Sequence, residues 1–299
     1  MRGGTLILVL SAVLRVNAAE LRVDHITVAG KDLANLRRMF ADVGIPTEYG
    51  GKHSNGQTEM ALSSFPDGSY LELIAPQPGA DASSHYWWPF MAQQGGPCAW
   101  AIRAMNIATE ARPLEAAGVD VRPTKSGRLR PDGVELRWEA ANVGPGPQGS
   151  FFPFMIADET NRDLRAYPQG HPTTSSVSGV RFVVVGVRDL PGAIAKYRAA
   201  FGLGKPHFRD DWSLQARLAW FPGTPVVLAT PAKGGTWLAD RLDRLGEAPC
   251  AFVLGTTGSF HTGFALGTKW FSGEVLWLGA TIDTPSPLGG MRLAVIRDK

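Results

Sequence analysis

Polar side chains set into apolar, strand-like stretches are the first candidates for chemistry in this sequence. In Leu21-Arg-Val-Asp-His-Ile-Thr-Val28, successive side chains of an extended chain point to opposite faces. Val23, His25 and Thr27 therefore share one face, and Ile26 and Val28 the other. In Ser69-Tyr-Leu-Glu-Leu-Ile-Ala75, Tyr70, Glu72 and Ile74 lie opposite Leu71 and Leu73. The purely aliphatic sets suit packing on a helix, which puts His25, Tyr70 and Glu72 together on the concave side. A carboxylate flanked by Tyr70, Leu71, Leu73 and Ile74 needs a partner. Glu59, in Gln57-Thr-Glu-Met-Ala-Leu62, is a further candidate: without a metal, two neighbouring carboxylates would raise one another's pKa and could serve as general acid and base.

These strands recur along the chain. Residues 25–46, HITVAGKDLANLRRMFADVGIP, align with 182–206, FVVVGVRDLPGAIAKYRAAFGLGKP: an apolar strand, then Asp-Leu, then a helix that stops at Gly. Leu33, Leu36, Met39 and Phe40 fall on one helical face in the first stretch, and Ile194, Tyr197 and Phe201 in the second. Asp32 and Asp189 are the expected N-caps, and Gly44 and Gly202 the expected stops. Gly96-Pro-Cys-Ala-Trp-Ala-Ile102 repeats as Ala248-Pro-Cys-Ala-Phe-Val-Leu254 at nearly the same offset. The pattern predicts an α+β chain of four βαβββ units in tandem, at about 21–76, 97–157, 179–231 and 249–297, with no evident helix in the fourth. Three segments follow: 1–18, then 19–172 with the candidate site, then 173–299 as a second, degenerate pair of units.

Composition narrows the function classes. A chain of 299 residues, 44% hydrophobic and 19% charged, is of globular type, and 30 Lys and Arg against 27 Asp and Glu leave a charge of only +3, which argues against nucleic acid as the main partner. Arg2, the apolar run from Thr5 to Leu14 and the small residues Val16 and Ala18 read as a secretory signal peptide cut after Ala18. That reading predicts a periplasmic or extracellular protein; a miscalled start would leave it cytoplasmic. No stretch is long and apolar enough for a membrane span. Cys98 and Cys250 allow at most one disulfide, and each lies in a strand-like Pro-Cys-Ala-aromatic stretch that predicts a buried free thiol. Nucleophile elbow and Cys-x-x-Cys are both absent from the sequence.

Asp24-His25, the Asp32-Leu33 helix start, Gly50-Gly-Lys-His-Ser54, Gly68-Ser-Tyr-Leu-Glu-Leu-Ile-Ala75, Arg130-Pro-Asp-Gly133 with Trp138, Phe151-Phe-Pro-Phe-Met-Ile156 and His171-Pro172 resemble the glyoxalase-like domain family of the vicinal oxygen chelate superfamily. The resemblance covers about residues 20–172, and residues 179–299 only through the shared unit. It implies paired units with curled mixed sheets around clefts, often with a divalent metal on the floor held by the first and last strands of each unit. Such a metal takes two vicinal oxygens of a substrate and acts as a Lewis acid. His25 and Glu72 match the two ligand positions of the first unit. Ala99 and Phe182 stand where the other units would have His25, and Phe154 and Val227 where they would have Glu72. Two ligands are few for a catalytic ion, so Glu59 and His53 are the candidates to complete a site for Zn, Fe, Mn, Ni or Mg. The implied activity is that of a metal-assisted lyase, isomerase, dioxygenase or ring-opening enzyme on a small, partly hydrophobic oxygenated molecule. The other open reading is a metal-free protein of the same fold that binds or sequesters a small molecule.

Substrate contacts are expected from Tyr70, Trp100, Arg103, Trp138, Phe152 and Phe154, with the aromatic connector Ser84-His-Tyr-Trp-Trp-Pro-Phe-Met91 either walling the cleft or packing in the core. Arg122, Lys125, Arg128 and Arg130 gather in what reads as a turn-rich hairpin, either an anion clamp or a solvated loop. The second half carries no comparable polar set, with His207 and His261 read as loop residues, so it is expected to be scaffold.

Overall fold

Helix starts and stops fall where the capping residues place them. In a computed structural model, which describes residues 20–93, 95–258, 260, 265–279 and 288–298, the first unit is β1 (Val23–Ala29), α1 (Leu33–Asp42), β2 (Glu48–Lys52), β3 (Thr58–Ser64) and β4 (Tyr70–Pro76). After a short helix, α2 (Trp88–Ala92), the second unit is β5 (Gly96–Arg103), α3 (Ile107–Ala116), β6 (Val121–Leu129), β7 (Glu135–Val143) and β8 (Phe154–Asp158). Another short helix, α4 (Arg162–Ala166), precedes the third unit: β9 (Gly179–Gly186), α5 (Leu190–Phe201), β10 (His207–Asp211), β11 (Ala216–Trp220) and β12 (Val226–Pro231). Then come α6 (Trp237–Leu245) and the strands of the fourth unit, β13 (Ala248–Thr256), β14 (Ala265–Lys269), β15 (Glu274–Leu278) and β16 (Arg292–Arg297). Asp32 accepts from the Asn35 amide at 2.6 Å and Asp189 from the Gly192 amide at 3.1 Å, and Gly202 ends α5 at φ 65°.

The strands form two mixed eight-stranded sheets of the same order: β2-β3-β4-β1-β5-β8-β7-β6 and β10-β11-β12-β9-β13-β16-β15-β14. In the first, β1 pairs with β4 in parallel and with β5 antiparallel, so two units meet along β1 and β5. The sheet curls until its two edges approach: Arg128 on β6 donates to the Gly50 carbonyl on β2 at 2.8 Å, and Ser54 donates to the Gly127 carbonyl at 3.3 Å. Arg122 to Arg128 lie on β6, one arm of an antiparallel hairpin with β7 that turns at Arg130 to Val134, and alternation along the strand turns some of its cations inward. His207 likewise stands on β10, where it had been expected in a loop. His261 and the apolar run before Ala19 lie outside the described residues. Among the described residues no helix is long and apolar enough to cross a membrane.

Packing follows the predicted faces. Ile26, Val28, Leu71 and Leu73 are fully buried against Leu36 and Phe40 of α1. The same cluster runs through α3 into α5, where Tyr197 and Phe201 meet the ring of Phe152 at 5.0 and 5.5 Å. The two sheets therefore share one core. Arg241 of α6 adds a polar tie, donating to the carbonyls of Gly95 and Pro97 before and in β5 and to that of Pro249 in β13. Cys98 and Cys250 are buried free thiols; burial pushes Cys98 well up and Cys250 to about 12.

Candidate functional site

The concave face of the first sheet lines a cavity of about 500 Å³. Strand register builds its floor: His25 lies beside Tyr70, and Thr27 beside Glu72. The β1–β5 pairing slips between Val23 and His25, leaving Asp24 as an extra residue on β1, the kind of bulge that re-aims a side chain. Asp24 is fully buried, and its Oδ1 lies 2.6 Å from His25 Nδ1. A carboxylate can only accept, so in the neutral imidazole Nδ1 carries the proton and Nε2 keeps its lone pair. Nε2 faces Glu72 Oε2 at 3.8 Å, while the ring stacks on Tyr70 at 4.8 Å and meets Phe154 edge-on at 5.3 Å.

A second imidazole converges on the same carboxylate. His53, from the loop after β2, lies with Nε2 3.3 Å from Glu72 Oε1 and Nδ1 2.8 Å from Thr58 Oγ1. Thr27 donates to Glu72 Oε2 at 3.0 Å. Burial works to raise the Glu72 pKa, but the His53 hydrogen bond, the two imidazoles and Thr27 outweigh it and bring the carboxyl down to about 2.

Behind the floor stands a charge block with only weak sequence signals. Arg165, 3% exposed, spreads its guanidinium over both Asp24 oxygens at 3.0 Å each, over both Asp158 oxygens at 2.5 and 2.8 Å, and onto the Tyr70 hydroxyl at 2.5 Å. Arg162, three residues earlier on α4, pairs with Asp24 and reaches the Gly68 carbonyl at 2.6 Å. Burial would raise the Asp24 pKa; Arg165, His25 and Arg162 hold it well below the usual carboxylate range. Burial, chiefly, lifts the Tyr70 hydroxyl above its ordinary range, so it stays neutral. Asp24 beside His25 and the Arg-x-x-Arg of α4 were the only traces of this block in the sequence.

The other expected contacts divide. Trp138 and Phe154 line the cavity with His85, Tyr86 and Trp87 of the aromatic connector. Glu59 does not join: Met60 and Leu62 pair across from Ile74 and Glu72 and face the cavity, so Glu59, one residue before Met60, points to the other side, where it accepts from the Tyr49 hydroxyl at 3.0 Å. Trp100, paired with Ile26, is buried in the helix-side core. Phe152 is spent in the core between the two sheets. Arg103 leaves the end of β5 for a separate crevice and donates to the Asp67 carbonyl at 2.8 Å. In the second sheet Phe182 and Val227 pack into an apolar cluster with Trp270 and Trp277.

Two imidazole nitrogens and one carboxylate are donor types suited to a borderline divalent ion, and each imidazole has its far nitrogen fixed by an oxygen, as metal-ligating histidines do. Among the described residues, no three His, Cys, Asp or Glu are spaced as they stand to hold an ion. The donor chemistry fits, and the cage is not preformed, since Glu72 leans on His53.

Paired βαβββ units whose curled sheet encloses a polar-floored cleft define the vicinal oxygen chelate fold. The chain belongs to the glyoxalase-like domain family, whose model matches residues 23–201. A hypothetical protein from Staphylococcus aureus is similar over 93% of this chain and 99% of its own, at 12% identity and a TM-score of 0.61. A mutant 4-hydroxymandelate synthase from Streptomyces coelicolor is similar over 93% of each chain, at 10% identity and a TM-score of 0.59. A xylose isomerase-like TIM barrel/4-hydroxyphenylpyruvate dioxygenase fusion protein matches 97% of this chain at 13% identity and a TM-score of 0.58, and the chain spans about half its length, 51%. These likenesses show the fold. A search of curated proteins finds no match.

Proposed function

We propose that this chain is an enzyme that uses His25, His53 and Glu72 to carry out isomerase, lyase or ring-opening chemistry on a small, partly hydrophobic oxygenated molecule, assisted by a divalent ion. The observation that carries the reading is the convergence of two oriented imidazoles on one carboxylate at the floor of a cavity large enough for a small organic substrate. An ion held by these three side chains would supply Lewis-acid polarisation of substrate oxygens. The protein's own part is to place protons. Asp24 holds the His25 proton on Nδ1, so Nε2 keeps its lone pair turned to the cavity for the ion. Tyr70 stacks on that ring and keeps it from turning. Trp138, Phe154 and Trp87 exclude water and bind the apolar part of the molecule. The second half, apolar at the corresponding positions, serves as scaffold.

The test is elemental analysis of the purified protein beside two variants. About one divalent ion per chain is expected, lost in both His25→Ala and Glu72→Gln while far-ultraviolet circular dichroism shows both variants folded. Retention of the ion in both variants sinks the ligand set. A protein that takes no ion, yet binds an aromatic ligand with quenching of its tryptophans and returns it unchanged, is a binding protein instead.

A further inference from the structure

Arg122, Thr124, Ser126 and Arg128 face the same cavity from alternate positions on β6. Three arginines are buried among the described residues, and they differ in how far their donors are engaged. Arg165 is spent on Asp24 and Asp158, and Arg241 on three carbonyls. Arg128, 7% exposed, makes a single hydrogen bond, to the Gly50 carbonyl at 2.8 Å, and among the described residues has no carboxylate within ion-pair distance. The acids nearby are committed elsewhere: Asp24 and Asp158 to Arg162 and Arg165, Glu72 to its two imidazoles and Thr27. Arg122 is paired with Asp120. A guanidinium has five donors, and burying one without a counter-ion is costly unless carbonyls take up its donors, as three do at Arg241, or a ligand brings the charge; Arg128 has one carbonyl.

We propose that Arg128 receives a carboxylate of the substrate, so that the cavity selects small monocarboxylic acids with a hydrophobic body. The inference rests on reading this cavity as the substrate site. The planar fork matches a carboxylate in two parallel hydrogen bonds, and one unpaired cation balances one negative charge, fewer than a phosphate monoester carries. Trp87, Trp138 and Phe154 supply apolar area on the same cavity wall.

The probes are phenylacetate, 3-phenylpropionate and hexanoate, each titrated against its amide by tryptophan fluorescence, with phenyl phosphate alongside. At least one acid is expected to bind about tenfold or more tightly than its amide. Arg128→Gln removes that preference, Arg128→Lys keeps part of it, and Lys125→Gln, whose side chain is 81% exposed on the same strand, keeps all of it. Because Arg128 also ties β6 to Gly50, the Gln variant can melt early; the Lys variant keeps a donor for that carbonyl and reports the preference independently. Three results overturn the proposal: every acid failing to outbind its amide, an undiminished preference in folded Arg128→Gln together with Arg128→Lys, or phenyl phosphate binding more tightly than the acids. Loss of acid preference with ion content and its His25 dependence intact removes this inference alone, whereas a protein without the ion leaves it standing.

Discussion

Two residues set the chemistry, and each depends on a neighbour. His25 has a defined tautomer because Asp24 accepts from Nδ1, and Asp24 stays ionised inside the protein because Arg165 and Arg162 surround it. Asp24→Asn leaves two buried guanidinium groups undercompensated and is expected to cost about 3–5 kcal/mol in urea unfolding. It also permits the other His25 tautomer, so turnover of any substrate found should drop more steeply than binding. His85, in the cavity wall, behaves differently. Burial first, and the charge of His53 second, lower its pKa from the ordinary 6.5 to about 4, against a smaller opposing pull from Glu72. The unfolded chain therefore takes up a proton that the folded one refuses. Stability from this residue is complete above pH 6.5 and is lost as pH falls towards 4. The stability gap between the parent and His85→Gln should shift by no more than about 2 kcal/mol across that window, once solvent screening is allowed for. Denaturation curves that keep a constant gap from pH 7 to 4 would contradict the assignment.

At the scale of elements, the period of the strand decides which side chains meet. On β3 it is Met60 and Leu62, not Glu59, that share the cavity with Glu72. Glu59→Gln is accordingly expected to leave ion content and melting within about 0.5 kcal/mol of the parent. The β1 bulge is the complementary device, since it lets Asp24 and His25 serve one site although they are adjacent in sequence. Caps were legible because they are local: Asp32 and Asp189 bond to amides three residues on. The arginines of α4 were not, because a five-residue helix has no periodic signature and the carboxylate that they share at the site, Asp24, lies more than a hundred residues away in β1.

For the whole molecule, the shared core has a consequence for unfolding. Phe152 packs on Tyr197 and Phe201, and Arg241 bridges β5 and β13, so the two sheets should unfold together. Phe152→Ala is expected to cost about 3–5 kcal/mol and to lower a single calorimetric transition. Two separated transitions in the parent protein would show that the halves are independent.

Local pattern in the chain was enough to determine the four-unit order, the helix caps, the aliphatic faces and the placing of His25, Tyr70 and Glu72 on one concave surface, because alternation and capping act over a few residues. Folding decided the rest. Only the pairing of distant strands brought His53 onto Glu72, turned Glu59 away, drew Trp100 and Phe152 into the core and left Arg128 buried beside the cavity with one carbonyl for company. Those outcomes depend on register and on where a curled sheet closes, and no short window of residues contains either.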